Sequence, residues 1–286
     1  MEESITNNDM AALQTKTLQS GIVMAYRSKP IDHKRPTLVL FHSFLMDSRL
    51  YEPQFEDPVY GEYNLIAIDE HGHGGSRGRS DFTFWDTASD GLELLTMLEV
   101  DRFFVLGTSQ GGFIALRMAL LAPERVTGLI LVGTNADSET PQNVSIFRDG
   151  RDKWCETRVP TREALLGKSV SFGGPEVVGE ARYAEICERW ISRHAGPQGY
   201  DPALNCLCER DSLLERLPEI TASTLVLHGT NDKVYSVDLA RSWSARLGNL
   251  SQFVVVDGGY HYLSFVPPGL ESCRKHIPDF IDSLQT

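Results

Sequence analysis

The chain has no apolar run approaching the roughly 18 residues that a membrane-spanning helix needs, so no transmembrane helix is expected. It also lacks any clustered basic stretch. Its 27 Lys and Arg stand against 39 Asp and Glu, a formal charge of −12. Nucleic acid or an anionic membrane would be met by a positive face, so neither is an expected partner. Cysteine is scarce, five residues and an odd number, which suits a reducing compartment rather than a disulfide framework. Cys206-x-Cys208 has no second Cys/His pair at metal spacing, so these thiols read as structural. The opening "MEESITNNDM" is acidic and polar, the reverse of a secretory signal, and the closing "LQT" is no peroxisomal address. A cytoplasmic location is the expectation. Internal repeats and low-complexity tracts are absent too. What remains is an ordinary globular composition over 286 residues, enough for one large α/β domain or a domain carrying an insertion.

Short apolar, β-branched runs recur at Thr37–Phe41, Tyr63–Asp69, Arg102–Gly107, Gly128–Gly133, Thr224–His228 and Phe253–Asp257. Their apolarity is continuous rather than alternating, which indicates strands buried on both faces, as in a parallel sheet covered by helices. Ahead of them, "LQTKTLQSGIVMAYR" reads as two antiparallel strands joined at Ser20-Gly21. Helical patterns lie between the strands, at Trp85–Leu98, Gly112–Ala122 and Val237–Leu247. A last one runs from Leu270 to Leu284, where Pro278 is expected to kink or break it. The fold class is therefore α/β, a mostly parallel central sheet with helices on both faces.

Residues 136–216 break this rhythm: they hold helical runs but no strand-like one. A helix is predicted over Val177–Ile191, with Val177, Ala181, Ala184, Cys187 and Ile191 on one face. Gly167, Gly173-Gly174-Pro175 and Gly196-Pro197 bracket the segments. The expected organisation is a core domain of residues 1–135 and 217–286 with a helical cap inserted at 136–216. The insertion leaves from the carboxyl end of a strand, where ligands of such sheets bind, and that position favours a lid over a passive excursion.

Chemistry concentrates in "FVLGTSQGGF", residues 104–113. Gly107-Thr108-Ser109-Gln110-Gly111 lies between a predicted strand and a predicted helix. A very sharp strand-to-helix turn crowds the backbone around the serine, demands small flanking residues and pushes the hydroxyl up from the sheet edge. The same turn puts the Gln110 N–H and the helix N-terminus where an oxyanion would form. A serine hydroxyl needs a base, and the base needs an orienting acid. "LVLHGTNDKV" places Asp232 just past a strand, and "FVVVDGGYHYLSF" does the same for His261. The order Ser109, Asp232, His261 is the one this sheet uses. Taken singly, Asp232 also reads as a turn aspartate capping the helix near Val237, and His261 as a structural loop histidine. His228, which ends a strand before Gly229, is the competing base and is expected to support a turn instead.

On these residues the chain resembles the α/β-hydrolase fold superfamily, over about residues 37–284 and more weakly through the insertion. "FHSFLMDSRLYEPQF" resembles the segment that supplies the second oxyanion donor in arylesterases, perhydrolases and enol-lactonases. The resemblance implies that the backbone N–H groups of Phe44 and Gln110 form the oxyanion hole, with no cofactor and no metal. Two positions depart from the family pattern. Ser43 stands where glycine is usual, either as an added hydroxyl donor or as a packing residue. His71 stands where arginine is usual, in "DEHGHGGS"; His71-x-His73 superficially resembles a metal pair, but reads as a glycine-rich structural turn.

The implied activity is acyl transfer from an ester, lactone or thioester of a small or medium acyl compound to water. One alternative is an acyltransferase or product-releasing enzyme of a biosynthetic pathway, with a carrier protein or pathway enzyme as partner. Another is a ligand-binding receptor on a vestigial site. The pocket is expected to involve Ser43, Leu45, Trp154 and Trp190, with Phe147, Phe172 and Tyr183 as further roof candidates. Oligomeric state is not legible.

Overall fold

The computed structural model describes residues 11–157, 171–194 and 197–285. Eight strands form one sheet: β1 (Leu13–Thr17), β2 (Val23–Ser28), β3 (Thr37–Phe41), β4 (Asn64–Ile68), β5 (Phe103–Thr108), β6 (Val126–Val132), β7 (Ser223–Gly229) and β8 (Leu250–Val256). Their order is β1-β2-β4-β3-β5-β6-β7-β8. Pairing is antiparallel from β1 to β2 and from β2 to β4, and parallel from β4 onward. The entry hairpin turns at Gly21, whose φ of 82° favours glycine.

Every residue of β3, β4 and β5 is buried, as continuous apolar runs in a covered parallel sheet require. Phe253–Asp257 was expected to be equally buried and is not. β8 is an edge strand, as β1 is at the other end, and most of its residues are half-buried or exposed.

Helix α1 (Phe84–Met97) starts on a capping box, in which the Thr83 side chain accepts from the Asp86 N–H and Asp86 reaches back to the Thr83 N–H. It packs on α2 (Gln110–Leu121), and α2 packs on β3, β5 and β6. Between β6 and β7 run α3 (Pro141–Thr157), α4 (Glu180–His194) and α5 (Pro197–Cys208), with no strand among the described residues. α5 packs on both α3 and α4. The predicted helix over Val177–Ile191 is interrupted. Gly179, at φ 82°, separates a single turn at Pro175–Val178 from α4. The buried face also differs: Ile186, Cys187 and Trp190 are buried, whereas Ala181 and Ala184 are exposed. Bulky side chains outweigh alanines in deciding which face turns inward, because burial free energy scales with area.

Between β7 and β8 runs α6 (Val237–Ser244), after β8 comes α7 (Gly269–Ser283), and both pack on β7. Pro278 does not break α7. The missing N–H would have bonded the carbonyl of Arg274, an exposed residue that water can serve, while Cys273, Ile277, Phe280 and Ile281 anchor the apolar face. No described helix is long and apolar enough to cross a membrane.

Candidate active site

Ser109 follows β5 and caps α2 at φ 55° and ψ −115°, a left-handed conformation unusual for a residue with a side chain. Sterics explain the glycines around it. A Cβ at Gly107 would lie 2.2 Å from the Gly111 carbonyl oxygen, and one at Gly111 would lie 2.0 Å from that of Phe41. Gly112 in turn abuts Thr134, whose hydroxyl donates to the Ser109 carbonyl at 2.7 Å. The sharp turn is held from both sides, and its strain persists because the surroundings over-determine it.

At the carboxyl ends of β7 and β8, His261 Nδ1 donates to Asp232 Oδ2 at 2.7 Å. Asp232 Oδ1 accepts the N–H groups of Val234 and Tyr235, at 2.8 and 3.0 Å. Gly133, at φ 54°, passes so close that a Cβ there would meet the His261 carbonyl at 2.5 Å. Burial alone would raise the Asp232 carboxyl. The charge and hydrogen bonds of His261 and His228 outweigh it and hold the group well below the carboxylate range.

His228 donates Nε2–H to the Tyr235 carbonyl at 2.8 Å and lies 3.2 Å from Asp232 Oδ2. It braces the acid and its turn from beneath; no described contact joins it to Ser109. Its Nδ1 is buried with no partner among the described residues.

Across the site, the loop after β3 turns through Leu45, at φ 60°. Leu45 N–H donates to His73 Nε2 at 3.0 Å, which fixes the path of the loop past Phe44. His42 holds the loop from below, its Nδ1 donating to the Ser43 carbonyl at 2.9 Å and its Nε2 accepting the Glu70 N–H at 3.1 Å. Gln110 opens α2, where the first N–H groups have no intrahelical acceptor. Its side chain turns away and donates to Glu70.

Ser109, His261, Ser43, Phe44 and Leu45 line one cavity of about 490 Å³, closed on the insertion side by Phe147, Trp154 and Tyr200. Ser109 and His261 are themselves almost fully buried. Trp154 and Tyr200 pack ring to ring at 5.8 Å, and Phe44 meets Tyr200 at 6.1 Å.

Residues 32–265 match the model of the Hydrolase_4 family, described as serine aminopeptidase S33. The chain belongs to this α/β-hydrolase family. It is 26% identical over 242 residues to serine hydrolase BPHL of Mus musculus, covering 82% of this chain and 81% of the relative. It is 23% identical over 252 residues to 3-oxoadipate enol-lactonase 1 of Acinetobacter baylyi, covering 87% and 90%. The solved enol-lactonase of Burkholderia xenovorans LB400 superposes with a TM-score of 0.78 at 20% identity, over 94% of this chain and all of that one.

Within this hydrolase fold some expectations are revised. Trp190 is not among the residues lining the Ser109 cavity. It packs on Phe172 and points its indole N–H at Met46 Sδ, 3.3 Å away, because it lies on the inward face of α4. Phe172 and Tyr183 likewise pack on each other. His71 bonds Asp90 at 2.8 Å, and Arg79 reaches the same carboxylate. His73 spends Nδ1 on the His71 carbonyl and Nε2 on Leu45, so the pair builds a turn. The described residues hold no His, Cys, Asp or Glu group suited to a metal. Cys187, Cys206, Cys208 and Cys273 carry buried free thiols; the side chain of Cys155 and the breakers Gly167 and Gly196 lie outside the described residues.

Sequence reasoning passed over Tyr262 and Glu70. Tyr262 directly follows His261 and stacks on Phe172. Burial pushes its phenol up to about 12, against opposing hydrogen bonds from Ser43 and Ser171. Ser43 thus faces both the cavity and this phenol. Glu70 carried a signal, an acid placed directly after a strand-ending aspartate in a glycine-rich turn.

Proposed function

We propose that the chain is a serine hydrolase that cleaves a carboxylic ester, lactone or thioester of a small or medium acyl group. The observation carrying this reading is the 2.7 Å Asp232–His261 bond at the cavity into which the strained Ser109 turn opens. His261 takes the Ser109 proton as the hydroxyl oxygen attacks the acyl carbon, while Asp232 keeps the imidazole in its Nδ1–H tautomer and offsets its charge. The N–H groups of Phe44 and Gln110 receive the developing oxyanion. His261 then protonates the leaving group, and water, activated by the same imidazole, cleaves the acyl-enzyme. Each step uses groups of the chain itself.

The substrate side follows from the walls. Phe44, Leu45, Phe147, Trp154 and Tyr200 favour an apolar acyl chain, and the lining charges, Asp149 and Lys153, are one of each sign and both exposed. The insertion acts in this reading as a cap over the acyl chain.

Steady-state kinetics on a panel of neutral esters, a lactone and a thioester test the proposal. Turnover of at least one class is expected, lost in Ser109→Ala and lowered about ten-thousand-fold in kcat by Asp232→Asn. A rate that does not rise on adding an alcohol or amine identifies water as the acceptor. Turnover surviving in Ser109→Ala contradicts the mechanism.

A further inference from the structure

A second cavity, of about 370 Å³, lies behind the loop after β3. Leu45 lines both it and the Ser109 cavity, so one residue of the oxyanion loop forms a common wall. Its lining includes four guanidinium groups, Arg27, Arg49, Arg77 and Arg189, against two carboxylates, Asp47 and Asp69. That is a local excess of positive charge on a chain whose formal charge is −12.

The carboxylates are already committed. Asp47 forms a fork with Arg49, with contacts of 3.0 and 2.5 Å. Asp69 accepts the N–H groups of Ser48 and Gly75, at 2.7 and 2.8 Å. Arg189 pairs with Glu185 one helical turn away, and its Nε is buried without a partner among the described residues. Two charges remain. Among the described residues Arg27 bonds only neutral groups, the Ser48 hydroxyl at 3.2 Å and the Ala11 carbonyl at 2.9 Å. Arg77 has no side-chain hydrogen bond or ion pair among the described residues. Burial holds the Arg27 guanidinium below its ordinary pKa despite Asp69 and Asp47, and Arg49 and Arg189 add repulsion.

Four guanidiniums gathered around two carboxylates leave the lining net positive, and an anion relieves the repulsion among them. A planar guanidinium offers paired donors that fit phosphate oxygens two at a time. Two guanidiniums outside any described ion pair match a dianion better than a single carboxylate. We propose that this cavity binds a phosphate group, either free or carried on the non-reacting end of a substrate, with Arg27 and Arg77 as its principal donors.

Calorimetric titration with inorganic phosphate, at ionic strength held constant with chloride, tests this. Saturable binding is expected, weakened at least about tenfold in Arg27→Gln and in Arg77→Gln, since each removes charged hydrogen bonds. Arg77 is exposed, so its variant reads out even where Arg27→Gln does not fold. Ser109→Ala should bind phosphate as the wild type does, which separates this site from the catalytic reading. Kinetics then assign the source. If a substrate carries the phosphate, both variants raise KM about tenfold for a phosphate-bearing ester and leave a neutral ester unchanged. If the phosphate is free, it shifts the rate on the neutral ester, and the variants lose that shift. Absence of binding in the wild type, unchanged binding in both arginine variants, or succinate binding as tightly as phosphate would overturn the proposal.

Discussion

Glu70 lies between the two segments that flank Ser109. Its N–H bonds His42 beneath the loop after β3, and its Oε2 accepts from Gln110 at the head of α2. Its Oε1 and the Gln110 Oε1 are both buried acceptors without a described donor. A proton on the carboxyl supplies the missing donor. Burial raises its pKa from 4.5 to about 7, against the pull of His42 and Gln110. The folded chain therefore keeps this proton up to about pH 7, whereas the unfolded chain releases it near pH 4.5. Stability from this group is complete below pH 4.5 and falls as the pH rises toward 7, by about 3 kcal/mol at roughly 1.4 kcal/mol per pH unit. Urea unfolding of wild type and Glu70→Gln across pH 4.5–8 should show the variant losing less stability over that interval. Parallel curves would mean that Glu70 does not hold its proton. No periodicity announces such a group, because what raises its pKa is burial by segments far away in sequence.

Among the elements, the strand-to-helix turn at Ser109 was legible because its rule is local. A tight backbone needs glycine, and Gly107 and Gly111 have another backbone inside the space of their missing Cβ atoms. Gly111→Ala places a methyl against the Phe41 carbonyl, at backbone that cannot give way. Soluble yield and Tm should collapse, whereas alanine at Gly150, which has open space around it, should leave both nearly unchanged. An unaltered Tm for Gly111→Ala would show that the turn is not so closely packed. The parallel strands were legible for a related reason, since burial on both faces writes unbroken apolarity into β3, β4 and β5. Edge strand β8 and helix α4 were less so. Their exposure depends on what lies beside them, so Phe253–Asp257 looked more buried than it is, and Trp190 was assigned to the wrong cavity.

For the whole molecule, the sheet brings groups from four widely separated places to one end. Phe44 follows β3, Ser109 follows β5, Asp232 follows β7 and His261 follows β8. Chain order and strand ends were enough to single them out as candidates. The arginine cavity was invisible in the same text, because Arg27, Arg49, Arg77 and Arg189 are scattered and no basic stretch marks them. Charge counted along the chain says little about charge gathered in space. Ser109 and His261 are almost fully buried beside the insertion, so reactivity must be measured with a reagent small enough to enter. The most direct test is intact-protein and peptide mass spectrometry after treatment with a fluorophosphonate, whose phosphorus is attacked only by an activated hydroxyl. The account predicts a single adduct on Ser109, lost in His261→Ala and strongly slowed in Asp232→Asn. An adduct on another residue, or undiminished labelling in His261→Ala, would contradict it.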